Sequence, residues 1–429
     1  EQLAGDLLPN ATESQRVATG FHRNTMLNEE GGIDAAEDWY KRTVDRTNVT
    51  GAAFLGLTMS CAQCHDHKYD PISHEEYFGL FAFFNNAGEE TLTLHDAEIE
   101  AERARIRNEI AATENNLVNE ADLNETVRAG FQTWIEENRS LASNWQLLSP
   151  ADFYAESSAT LELLDDQSIL ATGDIPNDDV YTLSFVTSGG PITALRLEVL
   201  PHESLPGGGP GRGVILADGD FLLTGIEVFD DSGDPIPIAS ATEDFAAKDN
   251  GADKALDGRS DTGWSVKGGT GKPHAAVFQF AEPIDPATTK LRVVLTQDYI
   301  HQHVIGRFRV SVTSREGDVV ASGVPAEIES ALLESDEGGL GRAFRYYALE
   351  VAAEFGHARE RIAKLRESMP EPLTTLVMTA RTHPRDTRLY HRGEFLDPGE
   401  TVTPDVPAVL PPLPDDADPS RLALARWLV

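Results

Sequence analysis

Cys61-Ala62-Gln63-Cys64-His65 holds both cysteines of a 429-residue chain and sets a histidine directly behind the second. Two thiols one helical turn apart can add across the two vinyl groups of a porphyrin, and the adjacent imidazole then reaches the iron, so C-x-x-C-H is the attachment pattern of c-type haem. Two other chemistries compete for the same residues: a redox dithiol of Cys61 and Cys64, and half of a zinc site completed by His65, His67 or His74. A dithiol needs no histidine behind it, and a structural zinc site usually takes two more ligands at similar spacing, which no other cysteine here supplies. If iron is bound, His65 is the proximal ligand, and the Asp70-Pro71 turn is the expected acceptor for its second ring nitrogen. The sixth iron position then separates an electron carrier from an open, reactive site. Met59, His67 and His74 are close to His65 in the chain, and Met59 and His67 are badly placed for the far face. His22 and Met26 lie on a separate segment and are the expected distal candidates.

The flanks must position that turn. Gly51-Ala-Ala-Phe-Leu-Gly-Leu-Thr-Met-Ser60 is apolar and predicts a helix end suited to covering a porphyrin face. Asp66 to Ile72 is a polar turn closed by Pro71, which cannot continue a helix. Ser73 and Glu76 form a capping box, and the helix they open carries Tyr77, Leu80, Phe81 and Phe84 at i, i+3, i+4 and i+7, a stripe that would either wall a haem or pack a core. Thr12 and Gln15 form a second capping box, and Asp38 to about Met59 reads as mostly helical.

The run TMSCAQCHDHKYDPISHEEYFGLFAFFNNA, preceded by EQLAGDLLPNATESQRVATGFHRNT, resembles the planctomycete-type cytochrome c-like domain family of large bacterial proteins, whose activity is not established. GEFLDPGETVTPDVPAVLPPLP and RLALARWLV resemble the start of the second domain that follows it in that family. The resemblance implies haem c, with Cys61 and Cys64 as thioether residues and His65 as axial ligand, in the periplasm or outside the cell. It supplies no reaction. The chain opens without Met and stops inside a helix-like run, so a longer parent protein is expected.

Lys plus Arg number 35 against 71 Asp plus Glu, a net charge of −36 that makes nucleic acid or an anionic membrane surface a poor partner. No apolar run of membrane-spanning length occurs. With both cysteines in one motif there is no disulfide framework to read.

His95 to about Ser143 predicts one long charged helix with a narrow stripe of Ile99, Ile106, Ile110 and Leu117. Ala343 to Glu367 carries a similar face of Leu349, Ala352, Phe355, Ile362 and Leu365, and the two are expected to pair antiparallel as a stalk. Between them, Tyr181–Val186, Ala194–Val199, Ala276–Phe280, Leu291–Leu295 and Phe308–Val312 alternate as strands of an antiparallel β-sandwich. The loop Asp257-Gly-Arg-Ser-Asp261-Thr-Gly-Trp264 resembles the galactose-binding-like jelly roll of discoidin-type and carbohydrate-binding modules. Asp257 and Asp261 offer hard oxygens for calcium, or simply form the turn. Trp264, His274, Tyr299, His301 and His303 would make a sugar-facing surface, although Trp and Tyr in strands otherwise belong to a core. The Gly207–Gly213 loop lacks the ending of a phosphate loop.

The expected architecture is α+β and multidomain. Residues 1–92 form a small all-α cytochrome c-like haem domain, 93–143 and 327–369 the two arms of a long antiparallel helical pair, 144–326 an inserted antiparallel β-sandwich of the galactose-binding-like jelly-roll type, and 370–429 an extended linker with the start of a truncated C-terminal domain. The expected function is haem c electron transfer in the cell envelope, with the sandwich binding a polysaccharide or another envelope protein. Two alternatives stand beside it: a non-redox adhesion scaffold with a zinc-binding or structural CxxCH, and a peroxidase-like haem enzyme with an open iron position. A hydrolase has no motif in its favour.

Overall fold

The computed structural model describes every residue except 27–34, 158, 174, 176–177, 188–190, 214–215, 285–289, 300–301, 335, 371, 382–383 and 415–416. Its helical part opens with α1 (Glu13–Ala18), α2 (Ala35–Thr50) and α3 (His74–Asn85). Both capping boxes form, Thr12 with Gln15 and Ser73 with Glu76, each side chain accepting from the other residue's backbone N–H. α3 is apolar on every side: Tyr77, Phe78, Leu80, Phe81, Phe83 and Phe84 are all at most 2% exposed. A helix of that kind is buried at the centre of its domain, so the aromatic stripe is core and walls no surface group.

β1 (Ala87–Thr93) follows, then α4 (Ala97–Leu123) and α5 (Glu125–Arg139). The single helix expected over 95–143 is thus two. Asn124 leaves helical backbone angles, and its Oδ1 accepts from the N–H groups of Thr126 and Val127, which starts α5 as a new helix.

The strand region folds as two antiparallel sheets around one core. Its strands are β2 (Gln146–Leu147), β3 (Pro150–Ala155), β4 (Thr160–Leu163), β5 (Ile169–Thr172), β6 (Asp179–Val186), β7 (Ile192–Val199), β8 (Gly225–Phe229), β9 (Ile238–Glu243), β10 (His274–Ile284), β11 (Lys290–Gln297) and β12 (Arg307–Thr313). One sheet runs β4-β5-β12-β7-β10-β9 with β2 added beside β12, and the other runs β3-β6-β11-β8. Alternation sets the inner faces: Leu195, Leu197 and Val199 of β7, Phe278 of β10, Phe308 and Val310 of β12 and Leu183 and Phe185 of β6 share the core.

The outer face of β7 holds Arg196 and Glu198, which alternation assigns to solvent, yet they are 1% and 3% exposed. α6 (Ala326–Leu333) and the segment leading into it cover that face, and Arg196 pairs there with Glu329 at 2.8 Å. α7 (Glu337–Tyr346) and α8 (Gly356–Glu367) complete the second arm. This arm is also broken, because a wide turn at Tyr347–Val351 and a 3-10 turn at Ala353–Phe355 separate α7 from α8. The expected antiparallel pairing forms: Arg103 donates to the Pro370 carbonyl at 2.5 Å, Arg361 pairs with Glu109 at 3.1 Å and Arg345 with Glu114 at 3.3 Å, the partner number falling as α4 advances.

The last sixty residues are integral to the helical part. β13 (Thr374–Ala380) pairs antiparallel with β1 along its whole length. β14 (Arg388–Tyr390) and β15 (Pro398–Thr401) form a hairpin whose Tyr390 ring packs with Tyr40, Phe78 and Phe81. α9 (Arg421–Trp427) returns to the N-terminus, where Arg421 pairs with Asp6 at 2.7 Å and Leu424 enters the core. Beneath β1, the fully buried Glu89 meets Arg23 at 3.2 Å, Arg42 at 2.6 Å and Arg46 closer still. A buried carboxylate survives only when its charge and its hydrogen bonds are met together, and here three guanidiniums meet them.

Candidate functional site

Cys61 lies on a 3-10 turn, Ser60–Gln63, that Cys64 closes, and both are exposed free thiols. His65 is exposed too, and its Nδ1 sits 2.7 Å from the carbonyl of Asp66. That bond orients the ring, with Nδ1 donating to the carbonyl, and leaves Nε2 with no partner among the described residues. The acceptor is therefore the next residue's carbonyl. The Asp70-Pro71 turn is used otherwise, its Asp70 N–H donating to His67 Nδ1 at 2.9 Å.

The turn is anchored from below. His74 Nδ1 lies 2.9 Å from the Ala62 carbonyl and its Nε2 lies 3.1 Å from the Tyr390 carbonyl, so this ring joins the turn to the C-terminal hairpin. Gln63 donates to the Tyr40 hydroxyl at 3.0 Å, and that hydroxyl donates to the Gly393 carbonyl at 2.9 Å. Burial raises the Tyr40 phenol to about 12, which keeps it a donor at any working pH. Gly393, at φ +71°, touches Cys64: a Cβ there would stand 3.0 Å from the sulfur. Tyr40, Tyr390 and Gly393 support the site from segments up to 329 residues away, and only the C-x-x-C-H run announces it in sequence.

Upstream, Ala52, Ala53 and Phe54 of a wide helical turn at Gly51–Leu55 are exposed, Phe54 packing edge-on to Phe21. This is the apolar run expected beside the motif. Met59 is not part of that surface, being 1% exposed against Gly51.

The distal candidates are placed elsewhere. Met26 is 91% exposed. His22 is 2% exposed and packs on Phe84, at the far end of α3 from His74. Ten residues of helix separate those two contacts, about 15 Å, whereas two nitrogens on one metal stand about 4 Å apart. Burial first, then the charges of Arg46 and Arg421, lower His22 to about 3, and its Nε2 is buried without a partner. His67 and His74 spend ring nitrogens on the turn itself.

Among the described residues no three His, Cys, Asp or Glu side chains converge closely enough to share one metal ion. Zinc needs such convergence within about 2 Å of a point. Thioether attachment needs the opposite, two thiols reaching different edges of a macrocycle while the imidazole approaches its centre. Two free, exposed thiols followed by an exposed imidazole are the donor set that such attachment requires.

On the sandwich, Trp264 is fully buried, its indole donating to the Phe245 carbonyl at 3.0 Å with its ring against Phe221. It is core and offers no face to a sugar. His274 is 9% exposed, held by Asp244 and the Gly269 carbonyl, each 2.9 Å away. Tyr299 is half-buried beside His303, and His301 lies outside the described residues. Asp257 accepts from Thr262 and the Arg259 N–H, and Asp261 binds the Arg259 guanidinium through both oxygens. Both carboxylates are thus spent on their own turn.

With this geometry in view, residues 1–89 match the family model PSCyt2, a protein of unknown function (DUF1549). The match supports the resemblance over the segment that carries Cys61, Cys64 and His65. No curated protein matches the chain, and no solved structure matches it. Among the described residues no helix is long and apolar enough to cross a membrane.

Proposed function

We propose that the protein is a haem c redox protein of the cell envelope, periplasmic or extracellular, whose first unit is cytochrome c-like and whose jelly-roll-type sandwich binds a carbohydrate or a protein partner. One observation carries the haem half: two free, exposed thiols are followed directly by an imidazole whose Nδ1 is already spent on a carbonyl and whose Nε2 is open. Cys61 and Cys64 would hold the porphyrin and His65 the iron. The group would supply a one-electron couple at the surface.

The chain's own residues do the rest. The Asp66 carbonyl orients His65, and a proton held at Nδ1 makes Nε2 the ligating atom. His74, Gln63 and Tyr40 fix the turn so that both thiols face outward together. The experiment is expression with a haem c maturation system and a reduced-minus-oxidised spectrum after denaturation. Retained haem absorbance, lost in Cys61→Ser/Cys64→Ser, supports the reading. Haem that washes out overturns it.

A further inference from the structure

A cleft of about 250 Å3 opens on the outer face of the β7–β12 sheet, between that face and the segment that enters α6. Leu200, Pro201, Pro273 and Pro325 form its apolar sides, and Arg196, Glu198, Arg307, Arg309, Asp166 and Glu327 its polar ones. We propose that this cleft is a binding site for one neutral sugar ring. It rests on the sandwich half of the reading above and is independent of the haem.

The groups left unspent define the ligand. Arg196, 1% exposed, is spent on Glu198 at 3.2 Å, Glu329 at 2.8 Å and the Val324 carbonyl at 2.7 Å and forms the closed floor. Arg309 gives Nε to Glu198 and Nη2 to Glu327, and its Nη1 has no partner among the described residues. Glu327, half exposed at the mouth, uses one oxygen on Arg309 and keeps the other free. Arg307 closes the opposite side on Asp166 at 2.6 Å. The cleft therefore offers one unspent donor, Arg309 Nη1, and one unspent acceptor, the second Glu327 oxygen, on the same lining, which suits a hydroxyl, since it both donates and accepts.

Charge argues for a neutral ligand. Three guanidiniums face three carboxylates on the lining, His274 there is paired with Asp244 at 2.9 Å, and buried Glu198 is held ionised, burial pushing its pKa up and Arg196 and Arg309 more than offsetting that. An anion would meet Asp166, Glu198 and Glu327, and a cation the three arginines. The apolar sides match the C–H face of a pyranose. At about 250 Å3 the space lies just below the ~300 Å3 at which drug-sized pockets begin, enough for one ring.

The test is titration calorimetry of the full chain with galactose, glucose, mannose, xylose and galactose 6-sulfate. At least one neutral pyranose is expected to bind, and Asp166→Asn/Glu327→Gln, both at the exposed mouth, to weaken it at least tenfold with the unfolding midpoint unchanged. No binding by any neutral sugar, binding untouched by that variant, or tighter binding of the sulfated sugar than of galactose overturns the proposal. Sugar binding by protein that takes up no covalent haem when made with the haem c maturation system leaves this inference standing while the redox reading fails.

Discussion

His22→Phe tests the electrostatics of the helical core. The imidazole is 2% exposed, and burial with Arg46 and Arg421 lowers it from 6.5 to about 3. The unfolded chain therefore takes up a proton near pH 6.5 that the folded chain refuses until about 3, so stability is full above 6.5 and falls as pH drops. At about 1.4 kcal/mol per unit, the loss is about 2.5 kcal/mol between pH 6 and 4 and about 4 kcal/mol by pH 3. Phenylalanine keeps the packing on Phe21 and Phe84, does not titrate, and removes the unpartnered Nε2. Urea unfolding followed by circular dichroism from pH 7 to 4 reads it. The difference between wild type and variant cancels every other titrating group. The two stability curves are expected to diverge by about 1.4 kcal/mol per pH unit below 6, with the variant no less stable at pH 7. Curves that stay parallel to pH 4 refute the reasoning.

Three further outcomes follow from the same packing. Glu89→Gln strips a buried carboxylate from Arg23, Arg42 and Arg46 and is expected to destabilise the helical part by about 3 to 5 kcal/mol, read as a lowered urea midpoint. Trp264→Ala is expected to cost about 3 to 5 kcal/mol by opening the sandwich core, and Trp264→Phe much less. A sugar-binding loss in Trp264→Phe with unchanged stability would instead restore that residue to a binding surface. Asp179 is raised from 3.8 to about 6 by burial, against its hydrogen bonds from Ser157, so its ionisation costs stability that returns as pH falls from about 6 toward 3.8. Asp179→Asn should therefore be more stable than wild type at pH 7 and lose that advantage by pH 4, measured by the same urea titrations.

What the sequence disclosed depended on how local the cause was. The capping boxes, the strand alternation and the C-x-x-C-H turn depend on residues a few positions apart, and all are where the pattern puts them. The breaks at Asn124 and at 347–355 were harder, since apolar spacing continues across each and only the Asx cap marks the first. Arg196 and Glu198 read as solvent-facing because alternation cannot see α6 arriving from 130 residues further on. The same blindness hid Tyr390 and Gly393 beside the turn, and it assigned Trp264 a surface role when its indole faces the core. His22 met the distal candidacy by residue type alone, whereas the fold sets it at the other end of α3.

The most direct measurement is peptide mapping by mass spectrometry of the protein made with haem c maturation. The peptide that contains Cys61 and Cys64 is expected to carry one porphyrin bound through both sulfurs, and His65→Ala to keep that mass while the visible spectrum of the folded protein changes. An unmodified peptide with two alkylatable thiols would contradict the account.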